Sequence, residues 1–174
     1  MTCIVGLEHA GAAWMGWDSC VSSDDGGEYA AAHDKVVTVG PMLIGFAGDL
    51  AAATVAAYAV RPPADSVGDV REYLATELVP VIRRVLKDSD VDGGLDMLIA
   101  LSGEVWFGNS DGVVYRPRCG YGAIGSGAHC AIGALYALEC IEPRQRVSIA
   151  LEAAGHLCSG VGPPYRIVRG GQVG

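Results

Sequence analysis

The chain has 174 residues, 51% of them hydrophobic and 18% charged, with 25 glycines and a formal charge of -8. A soluble domain usually carries about 25% charged residues, so charge is scarce here. The apolar content excludes a disordered chain, and the acidic balance excludes a dedicated nucleic-acid binder. No apolar run reaches the roughly 18 residues that a membrane-spanning helix needs.

Residues 2–8 are apolar and partly β-branched, and they read as a strand. His9-Ala10-Gly11 is a turn, and 12–19 return as a second strand. Residues 22–27, Ser-Ser-Asp-Asp-Gly-Gly, carry turn chemistry. Lys35 opens a hairpin that turns at Gly40-Pro41 and returns over Met42–Ala47. Residues 49–60 are Ala-rich and predict a helix capped by Asp49 and stopped by Pro62-Pro63. A second helix is predicted over 66–88, with Ser66 as N-cap and apolar residues at 67, 70, 74, 78, 81, 82 and 85.

The second half repeats this order. Strands are predicted at 97–101, 105–108 and 113–115, and a Gly-rich stretch at 120–127 follows. Helices are predicted at 128–141 and 143–159, and a closing strand at 165–168. Hairpins followed by helix pairs argue for antiparallel sheets with helices outside them, in a single domain over 1–174.

The start, Met-Thr-Cys-Ile-Val-Gly, has neither a basic n-region nor a long apolar h-region, so a signal peptide is not expected. Cys3, Cys20, Cys119, Cys130, Cys140 and Cys158 form no CxxC pair, and they read as reduced thiols. The histidines at 9, 33, 129 and 156 are as scattered, which argues against zinc.

Three polar residues stand out. Loss of Met1 would leave Thr2 at the N-terminus, its hydroxyl beside its own α-amine. An α-amine has a pKa of about 7.7–8, suited to accept the hydroxyl proton. A three-residue turn in the first hairpin would place Asp18 opposite Thr2, whereas a two-residue turn would place Ser19 there. Asp18 also reads as a turn-initiating residue at a strand end, and Lys35 as an ordinary strand-end lysine. Set together beside Thr2, the ammonium would lower the pKa of its hydroxyl and amine, and the carboxylate would hold the ammonium.

Thr2-Cys-Ile-Val-Gly, Gly16-Trp-Asp18, Lys35, Ile44-Gly-Phe-Ala-Gly48, Ala123-Ile-Gly-Ser-Gly127 and Ala154-Gly-His-Leu-Cys158 fall in that order along the chain. In this the sequence resembles the proteasome β-type threonine peptidases, and most closely the HslV-type ones. The resemblance runs over nearly the whole chain, at the length of a bare subunit with no propeptide beyond Met1. It implies an N-terminal-nucleophile hydrolase of α+β class, a four-layer αββα sandwich of two antiparallel sheets with paired outer helices. It also implies Thr2 as nucleophile, Asp18 and Lys35 as the tuning charge pair, Gly48 as oxyanion donor, and Ser126 as partner of the amine. The carbonyls of Gly155, Cys158 and Val161 match positions that can bind a structural monovalent cation such as Na+. The chemistry itself needs no cofactor.

The implied role is a threonine-type endopeptidase subunit in a cytoplasmic, homo-oligomeric ring stack that degrades unfolded polypeptides. No Walker-type phosphate loop is present, so an ATP-dependent unfoldase partner is implied. Nucleic acid and membranes are not expected partners. Val21, His33 and Phe46 are candidates for shaping a specificity pocket, whose preference the sequence does not assign.

Other readings stand beside this one. The chain could be an amidohydrolase acting on a small molecule, or an inactive assembly subunit. Gly120-x-Gly122-x-x-Gly125 fits a dinucleotide fingerprint, which would need a parallel βαβ unit around it.

Overall fold

The first hairpin shows how local chemistry sets the architecture. In the computed structural model, which describes residues 1–22, 28–63 and 67–170, β1 (Ile4–His9) returns as β2 (Ala12–Trp17). Ala10 and Gly11 both have positive φ, 49° and 73°, as a two-residue type I′ turn demands. Ile4 therefore pairs with Trp17 and Gly6 with Met15. This corrects the opposition of Thr2 and Asp18 that a three-residue turn would give. Asp18 instead lies across from Cys3 and donates its N–H to the Cys3 carbonyl at 3.2 Å.

The short strands β3 (Cys20–Ser22) and β4 (Glu28–Ala30) form a ribbon that the sequence did not announce. The predicted turn 22–27 lies outside the described residues except for Ser22. β5 (Val36–Val39) turns through Gly40, at φ 58°, into β6 (Met42–Gly48). Helix α1 (Leu50–Ala59) starts where Asp49 accepts the Ala52 N–H at 2.8 Å.

The next helix begins at Val70, because Asp69 caps it by accepting the Glu72 N–H at 3.1 Å. The expected cap, Ser66, lies outside the described residues. The helix runs as α2 (Val70–Tyr73), a π-helical turn (Leu74–Leu78) and α3 (Val79–Asp88). Pro80 lacks an N–H and would crowd the preceding turn. The wider π turn just before it relieves that conflict.

Strands β7 (Leu95–Leu101), β8 (Glu104–Asn109) and β9 (Val114–Tyr115) follow. The Gly-rich stretch holds a strand of its own, β10 (Tyr121–Ile124). Two helices come next, α4 (Ala128–Ala137) and α5 (Pro143–Leu157), four and two residues shorter at their C-terminal ends than expected. β11 (Arg166–Gly170) closes the chain's described part.

The strands assemble as β10-β1-β2-β11 and β5-β6-β7-β8-β9, every neighbour antiparallel. Ile4, Met15, Leu98 and Val105 fill the space between the two sheets. Met42, Ile44, Ile82 and Met97 bury the five-stranded sheet under α1 and α3. Val5, Leu7, Leu135 and Leu151 bury the four-stranded sheet under α4 and α5. Three apolar layers thus separate four structural ones, the expected αββα sandwich. Among the described residues, no helix is long and apolar enough to cross a membrane.

One buried charge ties the outer helices together. Arg146 on α5 is 7% exposed. Its Nε donates at 2.8 Å to the Leu135 carbonyl, and a second guanidinium N–H reaches the same oxygen. That carbonyl belongs to the last turn of α4, which has no partner within its own helix. The guanidinium also lies 5.0 Å over the Tyr121 ring. Arg146→Met keeps the stem but removes the donors. It should lower unfolding free energy by about 1–3 kcal/mol in urea titrations.

Candidate active site

Lys35 stands just before β5 with its side chain 10% exposed. Its Nζ donates to both Asp18 carboxylate oxygens, at 2.9 and 3.0 Å, and to the carbonyls of Cys20 at 2.6 Å and Met1 at 3.1 Å. The ammonium is therefore fixed in place by the end of β2 and the start of β3. The Asp18 side chain is wholly buried. It also accepts backbone N–H groups from Cys3 at 2.8 Å, Cys20 at 3.0 Å and Gly162 at 3.5 Å. A buried carboxylate needs such compensation to remain charged.

Thr2 lies immediately before β1, held from the opposite side. Its N–H donates to Ser126 Oγ at 3.3 Å, and the Gly127 N–H donates to its carbonyl at 3.2 Å. Ser126 Oγ also approaches that carbonyl at 3.4 Å. The Thr2 hydroxyl donates to the Met1 carbonyl at 2.7 Å. Thr2, Asp18, Lys35 and Ser126 thus converge around the Met1–Thr2 peptide.

Gly48 ends β6 with φ 131°, a conformation that side chains rarely adopt. A Cβ there would lie 2.2 Å from the Gly94 carbonyl. Gly48 and Thr2 both line a cavity of about 500 Å³. Val21, His33 and Phe46 line it as well, with the small residues Ala53 and Ala57 of α1. Asp49, next to Gly48, uses its carboxylate as the α1 cap.

The three cation candidates lie behind this site. Gly155 is on the last turn of α5, Cys158 is its C-cap, and Val161 is buried beyond it. A Cβ on Gly155 would fall 2.0 Å from the Tyr165 hydroxyl and 3.3 Å from the Val161 carbonyl. Glycine thus leaves room for the Tyr165 hydroxyl beside the Val161 carbonyl. The Cys158 carbonyl accepts the Val161 N–H at 3.3 Å and keeps a second lone pair. Burial, then Asp18, Glu152 and Cys3, push the Tyr165 phenol above its usual range. Among the described residues, no group of three or more His, Cys, Asp or Glu side chains could hold a metal ion.

Comparison with solved structures finds the same fold elsewhere. BPH from Thiobacillus denitrificans, in complex with epoxomicin, superimposes with a TM-score of 0.78, covering 96% of this chain and 97% of that one at 19% identity. The eukaryotic HslV of Trypanosoma brucei gives 0.71, with 96% and 98% covered at 17% identity. Anbu, an ancestral β-subunit from Yersinia bercovieri, gives 0.73, with 96% and 81% covered at 17% identity.

The chain has the proteasome-like fold that HslV, BPH and Anbu share.

No family model and no curated protein sequence matches the chain. At these identities the likeness is one of fold.

Within this fold, some features of the site had little sequence signal. The carbonyls of Met1 and Cys20 enter through the backbone, which any residue could supply. Gly162 reaches Asp18 from 144 residues away. The only hint of it was the glycine spacing at 160 and 162, between the last helix and the last strand. The dinucleotide reading meets the wrong surroundings. Gly120 and Gly122 flank the start of β10, an edge strand antiparallel to β1 that leads into two successive helices. A parallel βαβ unit is what that fingerprint requires.

Proposed function

We propose that the chain is a threonine-type endopeptidase subunit, with Thr2 as nucleophile once Met1 is removed. One observation supports this above the rest. Thr2 Oγ1 and Lys35 Nζ converge on a single oxygen, the Met1 carbonyl, at 2.7 and 3.1 Å. Loss of Met1 takes that oxygen away and leaves hydroxyl and ammonium facing the same space. It also turns the Thr2 amide into an α-amine, beside Ser126 Oγ.

In this reading Thr2 Oγ1 attacks the carbonyl carbon of a peptide bond. Its proton passes to the α-amine, directly or through Ser126, and then to the departing amine. The Lys35 charge, held by Asp18, favours the developing alkoxide. The Gly48 N–H stabilises the oxyanion. Water then hydrolyses the ester and frees Thr2. The cavity beside Thr2 has an apolar part, formed by Val21, Val37, Phe46, Ala53 and Ala57, with His33, Asp34 and Lys35 also lining it. It suits a large apolar side chain on the acyl side of the cleaved bond.

The remaining features belong to the same proposal. A Na+ at the carbonyls of Gly155, Cys158 and Val161 would steady the segment that contacts Asp18. The exposed Leu50, Tyr58, Tyr136 and Leu157 on three outer helices suit burial between subunits of a ring stack. Such a chamber, in the cytoplasm, would receive unfolded polypeptide from an ATP-dependent unfoldase.

BPH binds epoxomicin in its solved complex, so a peptide epoxyketone is a suitable probe. Protein with a mapped N-terminus should gain one adduct on Thr2. Probes ending in Leu or Phe should react at least tenfold faster than one ending in Asp. Thr2→Ala should gain none. Retained Met1 with no adduct would leave an inactive assembly subunit. A free Thr2 that hydrolyses small amides and ignores peptides would leave the amidohydrolase. Sedimentation showing a monomer would sink the ring.

A further inference from the structure

Two half-buried thiols face each other behind the site. Cys130 Sγ and Cys158 Sγ are 3.5 Å apart, in hydrogen-bond contact. Cys130 sits in the first turn of α4, and Cys158 is the C-cap of α5. They are 28 residues apart in sequence. A disulfide has an S–S distance of about 2.05 Å, so modest closure of the two segments would join them.

Each thiol belongs to a segment that touches one side of the Thr2 site. On the Cys130 side, Gly127 donates to the Thr2 carbonyl at 3.2 Å, and Ser126 accepts the Thr2 N–H at 3.3 Å. On the Cys158 side, Val161 donates to the Cys158 carbonyl at 3.3 Å. Gly162, next in sequence, donates to Asp18 at 3.5 Å and accepts the Ser19 N–H at 3.2 Å. The thiol pair therefore bridges the residue beside the amine to the residue that holds the lysine.

We propose that Cys130 and Cys158 form a redox modification site, a reversible disulfide that clamps these two segments and slows chemistry at Thr2. The oxidant is a low-molecular-weight disulfide of the glutathione class. One cysteine thiolate attacks it and releases one small thiol, leaving a mixed disulfide. The second thiolate then displaces the other small thiol. The protein loses two electrons and two protons, and one small disulfide becomes two thiols. Cys3 is close by, yet it is wholly buried and burial pushes its thiol up to about 12, which keeps it out of the exchange. The effect on Thr2 rests on the proposed peptidase reading, whereas formation of the link does not.

The test uses the full chain, incubated with reduced or oxidised glutathione. Peptide mapping should find a Cys130–Cys158 link, two mass units lighter than the dithiol, which dithiothreitol reverses. Hydrogen–deuterium exchange should slow over 126–131 and 158–162. Epoxyketone labelling of Thr2 should fall about tenfold, the scale expected of a displacement of an ångström or less. Cys130→Ser and Cys130→Ala should each label as the reduced parent does and lose all three responses. Absence of the link, or a link with unchanged exchange, would overturn the proposal. A link with unchanged labelling would overturn its effect on the site. Absence of labelling in reduced protein would count against the peptidase reading, while the mapping and exchange would still decide the clamp.

Discussion

Lys35→Ala should reduce Thr2 labelling by about a thousandfold, to the background of an unactivated hydroxyl. The scale is that of removing one member of a catalytic unit. The same change should cost stability. Asp18 is fully buried and loses both of its contacts with the ammonium. Breaking one partner out of a buried pair costs about 3–5 kcal/mol. Three backbone N–H groups continue to reach the carboxylate, so the lower end applies. The double variant Asp18→Asn/Lys35→Met separates the two effects. It removes both charges, should recover at least half of the lost stability, and should remain unreactive. Urea titration and adduct mass spectrometry measure the two quantities on one sample. A double variant that regains labelling would remove Lys35 from the chemistry.

Gly48→Ala should be the most damaging single-methyl addition near the site. The new Cβ would sit 2.2 Å from the Gly94 carbonyl and 3.3 Å from the Leu95 Cα, both of them backbone. Neither can swing aside as a flexible side chain could. The residue would also be forced to φ 131°, which costs about 1–3 kcal/mol by itself. Relief must come from parting the end of β6 from the start of β7. Thr2 labelling should fall at least a hundredfold, because the backbone that lines the cavity would turn. The melting midpoint should drop with it. Gly68→Ala is a fair control, since a Cβ there meets nothing within 4 Å. Unchanged labelling in Gly48→Ala would remove this N–H from the proposed mechanism.

Much of the fold was legible because its signals are local. Asp49 capped the helix it was expected to cap, and hairpin turns fell at glycines. The order of strands, helix pair, strands, helix pair and strand followed from hydrophobic period together with these cap and turn signals. What failed had physical reasons. Ala10 adopts positive φ although it has a Cβ, so a two-residue turn was taken where three were counted. The π turn before Pro80 leaves no mark on apolar spacing. β10 hid among glycines, because an edge strand packed against a helix tolerates them. Thr2, Asp18 and Lys35 stood out from the residue pattern and Ser126 through the family resemblance, and the structure brings the four together around the Met1–Thr2 peptide. Their backbone partners could not be named from the sequence, since a carbonyl carries no residue identity. The small alanines of α1 that open the cavity read only as helix formers.

The Met1 carbonyl has a practical consequence for handling the protein. It accepts from both Thr2 Oγ1 and Lys35 Nζ. Any residue joined ahead of Thr2 would present the same oxygen and keep the nitrogen an amide. An affinity tag fused at the N-terminus would then act as a permanent safety catch, giving folded but silent protein. A tag at the opposite end, or one removed by a protease that cuts immediately before Thr2, would leave the trigger free. In the proposed mechanism, silence in an N-terminally tagged preparation would therefore reflect the cloning strategy, and latency during synthesis would come from the same carbonyl.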